Sequence, residues 1–304
     1  MPELPEVETM RRGIAAIAGS TIAAAVRVPC KRRPILIEPR PAILAKRIVG
    51  RTIAEVGRLG KRVVLRLDSG DRLIFEPRMT GLVLVADPPT EEHLRFRLDL
   101  AGGPIPHVWY WDRRGLGSVR LISEQQLADQ LGSRKLGPDA LVLSADDLRD
   151  RLSPSRRAIK VALLDQRAVA GIGNLYASEI LHLAGIHPAK RCDLLTAAQW
   201  QIVHARMLEV LHDAIRHEGS TLSDGTYRNA LNHAGGYQSM HRVYDRAGEP
   251  CRQCQSTQIV RIVQAQRATF FCPNCQSKRA SAAPPSNNST QRRNGAKSQR
   301  GRST

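Results

Sequence analysis

Met1-Pro2-Glu3-Leu4-Pro5-Glu6-Val7-Glu8-Thr9 is the stretch on which the reading of this chain turns. A small second residue ordinarily leads to removal of the initiator, so the mature chain is expected to begin with a free secondary amine on Pro2. A chain-terminal amine titrates near ~7.7–8.0 against ~10.4 for Lys, so part of it is neutral at pH 7 and able to attack carbon. Proline's amine is more basic than most, and a site has to depress it. Condensed with an aldehyde carbon, a secondary amine gives an iminium ion that has no N–H proton to lose and acts as a persistent electron sink. Glu3 could protonate a departing oxygen and then serve as a base, and Glu6 lies one helical turn further on. The plainer reading is capping chemistry, with Pro at a helix start and Glu in its first turn. Both readings imply the same helix. Val7, Met10, Ile14 and Ile17 form an apolar stripe over residues 5–18 that would dock the N-terminus on a core and hold Pro2 still, and Gly19-Ser20 ends it.

From about residue 21 to 122 the pattern changes to short alternating runs broken by Pro and Gly. Ile53–Leu59, 63–67, 82–85 and 94–100 read as strands of a two-layer β domain, with Asp68-Ser69-Gly70-Asp71 a hairpin turn. Residues 123–150 carry short helices and a connector, with Ser144-Ala145-Asp146-Asp147 a helix N-cap. Beyond Ser153-Pro154 the pattern is helical. Arg156, Arg157 and Lys160 are clustered cations suited either to phosphate contact or to a solvated face. Gly171-Ile172-Gly173-Asn174 opens a helix, and such a turn presents backbone N–H groups and an amide side chain to an anion. No βαβ frame surrounds these glycines, which argues against a dinucleotide site. Residues 196–218 form a long amphipathic helix with Trp200, Val203, Met207, Val210, Leu211 and Ile215 on its apolar side. Residues 219–240 show no clear periodicity and fit a mobile loop or a disordered connector.

The chain has 304 residues, enough for two domains with cores of their own. A formal charge of +18 points to a polyanionic partner, nucleic acid first and an anionic membrane second. No apolar run approaches the ~20 residues of a membrane span, and the acidic start lacks a signal peptide's basic leader, so an intracellular (cytoplasmic, DNA-associated) protein is expected. Of the six Cys, Cys30 and Cys192 stand alone, while Cys251, Cys254, Cys272 and Cys275 form two Cys-x2-Cys knuckles. In a reducing compartment that spacing is a closed tetrahedral thiolate site for one structural Zn2+. Between the knuckles, 259–263 and 267–271 read as a β-hairpin. The tail, 277–304, has seven Lys/Arg and no acid, and reads as a disordered arm adding salt-sensitive affinity.

Over residues 1–276 the chain resembles the formamidopyrimidine-DNA glycosylase family, in its nonapeptide start, in the segment 163–179 and in the four-cysteine finger. The resemblance implies that Pro2 is a Schiff-base nucleophile and Glu3 a proton donor. Lys61, in Arg58-Leu59-Gly60-Lys61-Arg62, falls where a lysine of the family contacts phosphate and assists elimination; a solvated strand-end lysine is the plainer alternative. His93 corresponds to a DNA-contacting histidine, with an ordinary surface His as competitor. Asn174 inherits the phosphates that flank the lesion, Arg156 and Lys160 further DNA contact, and Arg267 the finger arginine needed for the second elimination. The segment 219–240 takes the place of the family's mobile damaged-base loop.

Two loops depart from the family pattern. Phe75-Glu76-Pro77-Arg78-Met79-Thr80-Gly81 keeps the Met-x-Gly end of one intercalating loop but has Glu76-Pro77-Arg78 in place of His-Leu-Gly. Trp111-Asp112-Arg113-Arg114-Gly115-Leu116-Gly117 replaces Asp-Pro-Arg-Arg-Phe-Gly. Aligned on Asp112 and Gly117, Arg114 takes the place of the arginine that pairs with the orphan cytosine, and Leu116 that of the Phe wedge. Leu is an acceptable apolar wedge without ring stacking. Met79 and Leu116 fit β-domain core equally well.

The expected fold class is α+β. An N-terminal two-layer β-sandwich with flanking helices (1–133) precedes a helical helix-two-turn-helix DNA-binding domain (134–236), a β-hairpin zinc finger (237–276) and the basic tail (277–304). The expected function is that of a bifunctional DNA glycosylase/AP lyase for oxidised purines, acting as a monomer on duplex DNA whose damaged nucleotide is flipped into the cleft between domains. An endonuclease VIII-type enzyme for oxidised pyrimidines shares the Pro2-Glu3 chemistry. A non-catalytic lesion-binding homologue and a zinc-ribbon adaptor are the readings from other classes, and the adaptor ignores the N-terminus.

Overall fold

The apolar stripe that follows Pro2 forms the helix it predicts: α1 spans Leu4–Gly13, and a 3-10 turn, Ala15–Ile17, carries the stripe on so that Val7, Met10, Ile14 and Ile17 are all fully buried. The computed structural model describes residues 2–277; Met1 and residues 278–304, on which the expectations of initiator removal and a disordered arm rest, lie outside the described residues.

Around α1 lie β1 (Thr21–Arg27), β2 (Leu36–Glu38), the short helix α2 (Pro41–Ile48), β3 (Ile53–Leu59), β4 (Arg62–Leu67), β5 (Arg72–Glu76), β6 (Gly81–Leu84), β7 (Leu94–Ala101), β8 (His107–Asp112) and β9 (Ser118–Ile122). They make two sheets, β1-β7-β8-β6 and β2-β9-β5-β4-β3, in which only the β2–β9 pair is parallel. Inward residues of both sheets, Leu65, Phe75, Leu82, Phe96 and Tyr110 among them, share one core with Val7 and Met10 of α1. Helix α3 (Glu124–Leu131) covers the second sheet's outer face, with Leu127 and Leu131 on Val64, Ile74 and Ile122.

The second core belongs to α4 (Ala145–Leu152), α5 (Ile159–Leu163), α6 (Asn174–Leu183) and α7 (Ala197–Arg216), packed around Tyr176, Trp200 and Tyr237. Ser144 caps α4 by accepting from Asp147 N at 3.1 Å, and Thr196 caps α7 by accepting from Gln199 N at 3.3 Å. Leu4 of α1 enters this core, not the first. One helix thus has its first residue in one domain and its next turn in the other, which fixes Pro2, two residues before it, at the domain junction.

The segment 219–240 is not a disordered connector. Tyr227 and Ala230 join the β-domain core, Val85 N donates to Ala230 O at 2.9 Å, and Asn229 Oδ1 accepts from Leu231 N and His233 N. In the finger, β10 (Val260–Gln264) and β11 (Arg267–Phe271) are joined by Ala265 and Gln266 with φ of 45° and 61°, the two left-handed residues that a two-residue hairpin turn requires. Among the described residues no helix is long and apolar enough to cross a membrane.

Candidate active site

Pro2 is buried where two cavities meet. One is lined by Glu3, Glu6, Met79, Ser220, Asp224 and Tyr227, and the other by Lys61, Arg62, Arg78, Met79 and Arg267. The Glu3 carboxylate accepts from Gly173 N at 2.6 Å and Leu175 N at 3.0 Å, so it sits on the positive end of α6. The backbone N–H groups that the Gly171-Ile172-Gly173-Asn174 turn was expected to present to an anion are taken by the protein's own Glu3 carboxylate. Each glycine has its reason there. A Cβ at Gly173 would lie 2.2 Å from Glu3 Cδ, and Gly171 has φ +111° and would place a Cβ 2.4 Å from Leu4.

Glu6 lies below Glu3, 3% exposed, accepting from Tyr176 Oη at 2.5 Å, from Ser220 N at 2.9 Å and from Glu3 N at 2.8 Å. Burial, then the Glu3 charge, push its carboxyl above the usual range. Those contacts tie α1, α6 and the 219–240 segment to one side chain. Glu8, on the next turn, is held at about 2 despite its burial, because Arg11, Arg12 and Arg58 all donate to it. Arg58 also forks onto Asp139 at 2.5 and 3.0 Å, joining β3 to the start of the helical domain.

Lys61 leaves the turn between β3 and β4 and points into the cleft, where its Nζ donates to Ile172 O at 2.9 Å. Burial lowers its pKa, opposed by the Glu3 charge and assisted by Arg267. It is not a solvated strand-end lysine. Arg267, first residue of β11, is exposed on the same cavity wall. Lys160 corrects the expectation of a surface cation cluster. Arg156 and Arg157 are exposed, but Lys160 is fully buried and donates to Asn174 Oδ1 at 2.5 Å, Thr269 Oγ1 at 2.7 Å and Ala268 O at 3.1 Å. Its burial lowers its pKa to about 8. Asn174 adds its own donation to Ala268 O at 2.9 Å. Lysine and asparagine together bolt the start of α6 to the finger strand beside Arg267.

The two loops expected to enter the duplex share one organiser that the sequence reading used only for alignment. Asp112 is fully buried; its Oδ1 accepts from Thr80 Oγ1 at 2.5 Å and Arg114 N at 3.1 Å, and its Oδ2 from Gly117 N at 2.8 Å. Its carboxylate therefore shapes the turn that exposes Arg114 and pins it to the loop bearing Met79. Met79 is 38% exposed and Leu116 is half-buried at that rim, so Met79 is not core. His93 packs edge-on against Trp111 at 5.3 Å, and burial lowers its pKa.

Cys251, Cys254, Cys272 and Cys275 bring their sulfurs within 4.8 Å of one another, with 3.9 Å between Cys251 and Cys275 and 3.7 Å between Cys254 and Cys272. A tetrahedron of Zn–S bonds near 2.3 Å has an edge of about 3.8 Å, so the thiolates fit one structural zinc. The finger is seated by Glu179 of α6, which accepts from Arg242, Val243 and Tyr244 N, and by Gln276, which bridges Cys272 N and Ile186 O.

Comparison with known proteins matches three family descriptions in series: the formamidopyrimidine-DNA glycosylase N-terminal domain over residues 1–119, its H2TH domain over 136–226, and the zinc finger found in FPG and IleRS over 248–278. The formamidopyrimidine-DNA glycosylase of Chloroflexus aurantiacus is 43% identical over 279 residues, covering 91% of this chain and 98% of that protein. That of Bacillus subtilis is 35% identical over 285 residues, covering 92% and 100%. Among solved structures, the Lactococcus lactis Fpg complex with abasic-site DNA superposes with a TM-score of 0.79 at 33% identity over 91% of this chain and 100% of that one. The MutM (Fpg) protein of Thermus thermophilus gives 0.78 at 34% identity over 90% and 98%.

Proposed function

The chain belongs to the formamidopyrimidine-DNA glycosylase family, and on that premise we propose that it excises oxidised purines, 8-oxoguanine and formamidopyrimidines, from duplex DNA and then cuts the strand as an AP lyase. It is a DNA glycosylase of base-excision repair. The observation that carries the reading is Pro2 at the junction of the two cavities, with the Glu3 carboxylate fixed on α6 behind it and Lys61 and Arg267 on the opposite wall.

In this reading the Pro2 nitrogen attacks the anomeric carbon of the flipped nucleotide as the base departs, and Glu3 protonates the opening sugar oxygen. The iminium acidifies the adjacent C–H, which allows β- and then δ-elimination. Lys61 and Arg267 hold the phosphates that leave, and Asn174 and Arg156 contact the flanking backbone. Met79, Leu116 and Arg114 fill the vacated helix, with Arg114 facing the orphan cytosine and His93 beside them. Lys160 acts through Asn174 and the finger. The zinc shapes the finger and leaves the reacting atoms to these side chains. One chain supplies amine, carboxylate, cations and finger, so it works as a monomer, and it works where the DNA is, inside the cell.

The test is excision by protein untagged at its N-terminus on duplexes carrying 8-oxoguanine opposite cytosine or an oxidised pyrimidine. Faster cutting of 8-oxoguanine supports the proposal. A pyrimidine preference replaces it with an endonuclease VIII-type activity. Binding without cutting on either duplex or on an abasic site makes this a binding protein.

A further inference from the structure

Arg78 precedes Met79 at the cleft and holds φ at +50°, a left-handed conformation that glycine adopts freely and a long side chain does not. Residues held in such conformations cluster at active sites and ligand clamps, and this one stands at the catalytic cleft. The side chain is 61% exposed and lines the cavity that holds Pro2, Lys61, Arg62 and Arg267. Among the described residues its one ion-pair partner is the Glu76 carboxylate, at 3.5 Å.

Glu76 does not depend on that partner. It also meets Arg62 at 3.2 Å and Arg120 at 3.6 Å, and both of those side chains are more than four-fifths buried. Two sheltered cations keep Glu76 neutralised, while the exposed third can leave. Glu76 is the sole carboxylate lining this cavity, against five basic or amine groups. Before DNA arrives it holds Arg78 beside the cleft mouth; a backbone phosphate, backed by the field of the whole polyanion and the release of its counterions, then competes for the same guanidinium.

We infer that Arg78 is a phosphate-binding residue of the catalytic cleft, which passes from Glu76 to the damaged-strand phosphate beside the reacting nucleotide. The assignment rests on the DNA glycosylase reading. It places one backbone contact directly next to the Met79 wedge, so that insertion of Met79 and capture of the phosphate are one movement of the loop.

The experiment measures binding of wild-type protein, Arg78→Gly, Arg78→Lys and, as reference, Arg267→Ala to a duplex carrying a tetrahydrofuran abasic analogue, between 50 and 300 mM salt. One lost phosphate contact lowers the slope of log K against log salt by about 0.9. Arg78→Gly should lose that much, fold at least as stably as wild type because glycine suits φ +50°, and Arg78→Lys should keep the wild-type slope. Neutral methylphosphonates placed singly at the three phosphates around the analogue locate the contact: at one of them the Arg78→Gly loss should vanish. An unchanged slope in Arg78→Gly, with Arg267→Ala reduced, overturns the assignment alone. A reduced slope that no methylphosphonate cancels overturns it too, because the contact then lies elsewhere. Wild-type protein that does not prefer the analogue to undamaged duplex overturns the glycosylase reading beneath it.

Discussion

Replacing Gly173 by Ala tests whether the Glu3 carboxylate must dock on the start of α6. The added Cβ would lie 2.2, 2.4 and 2.6 Å from Glu3 Cδ, Oε1 and Oε2, closer than any van der Waals contact allows. Neither partner has room to yield: Glu3 is 3% exposed and Gly173 opens a helix whose next residues form the core. The carboxylate must leave Gly173 N and Leu175 N, bonds of 2.6 and 3.0 Å. Charge-assisted hydrogen bonds are worth about 1.5–3 kcal/mol each, and partial rehydration returns some of that, so a destabilisation of about 2–4 kcal/mol is expected. A displaced proton donor removes a contribution of about 10²–10⁴ to rate. Urea unfolding measures the first and single-turnover cleavage of an abasic duplex the second. Gly57→Ala is the control, since its Cβ would meet nothing nearer than 3.8 Å; it should stay within about 0.5 kcal/mol of wild type. Wild-type stability and rate in Gly173→Ala would refute the claim that this docking positions Glu3.

Lys160→Met should weaken DNA binding and nicking by loosening Asn174 and the finger. Because Lys160 titrates at about 8 in the fold, below its 10.5 reference, the unfolded chain binds more protons between those values and stability rises with pH there. The pH 8 to 10.5 rise in unfolding free energy should be smaller in Lys160→Met than in wild type. Asp112→Asn keeps the shape but turns one oxygen, which faces N–H donors, into a donor itself. Unfolding should cost about 1–3 kcal/mol less, and discrimination for cytosine opposite the lesion should fall, read as the ratio of excision rates against the other opposite bases. Stripping zinc with a chelator should abolish nicking while far-ultraviolet circular dichroism changes little, because the four thiolates support only the finger's own small core.

What the sequence made legible was local. The 3.6-residue stripe over 5–18, the alternation in 94–100 and the cysteine spacing each encode their own structure within a few residues, and each appears as read. What it concealed depends on partners far along the chain. Lys160 looks like Arg156 and Arg157, yet its acceptor Thr269 lies 109 residues away, and only the docked finger turns it into a buried bolt. The Gly-x-Gly-Asn turn was rightly read as an anion site, but the anion is a carboxylate 170 residues upstream. The segment 219–240 has neither helical nor strand periodicity because side chains organise it, with Thr221, Asn229 and Gln238 bonding backbone groups. The finger hairpin was legible from its two apolar runs between the knuckles, although its 265–266 turn lacks the usual Asn-Gly pair. Asp112 was visible as an alignment point before Arg113-Arg114, and nothing local revealed that Thr80 of the other loop depends on it.

The most direct test of the account is to trap the intermediate and find the atom that made it. Untagged protein is incubated with an 8-oxoguanine duplex, reduced with borohydride and digested, and the cross-linked peptide is located by mass spectrometry. The account predicts a covalent adduct on the N-terminal peptide, at Pro2, that is diminished in Pro2→Gly and in Glu3→Gln. An adduct on Lys61 or Lys160 instead, or strand cutting that leaves no adduct, would contradict it.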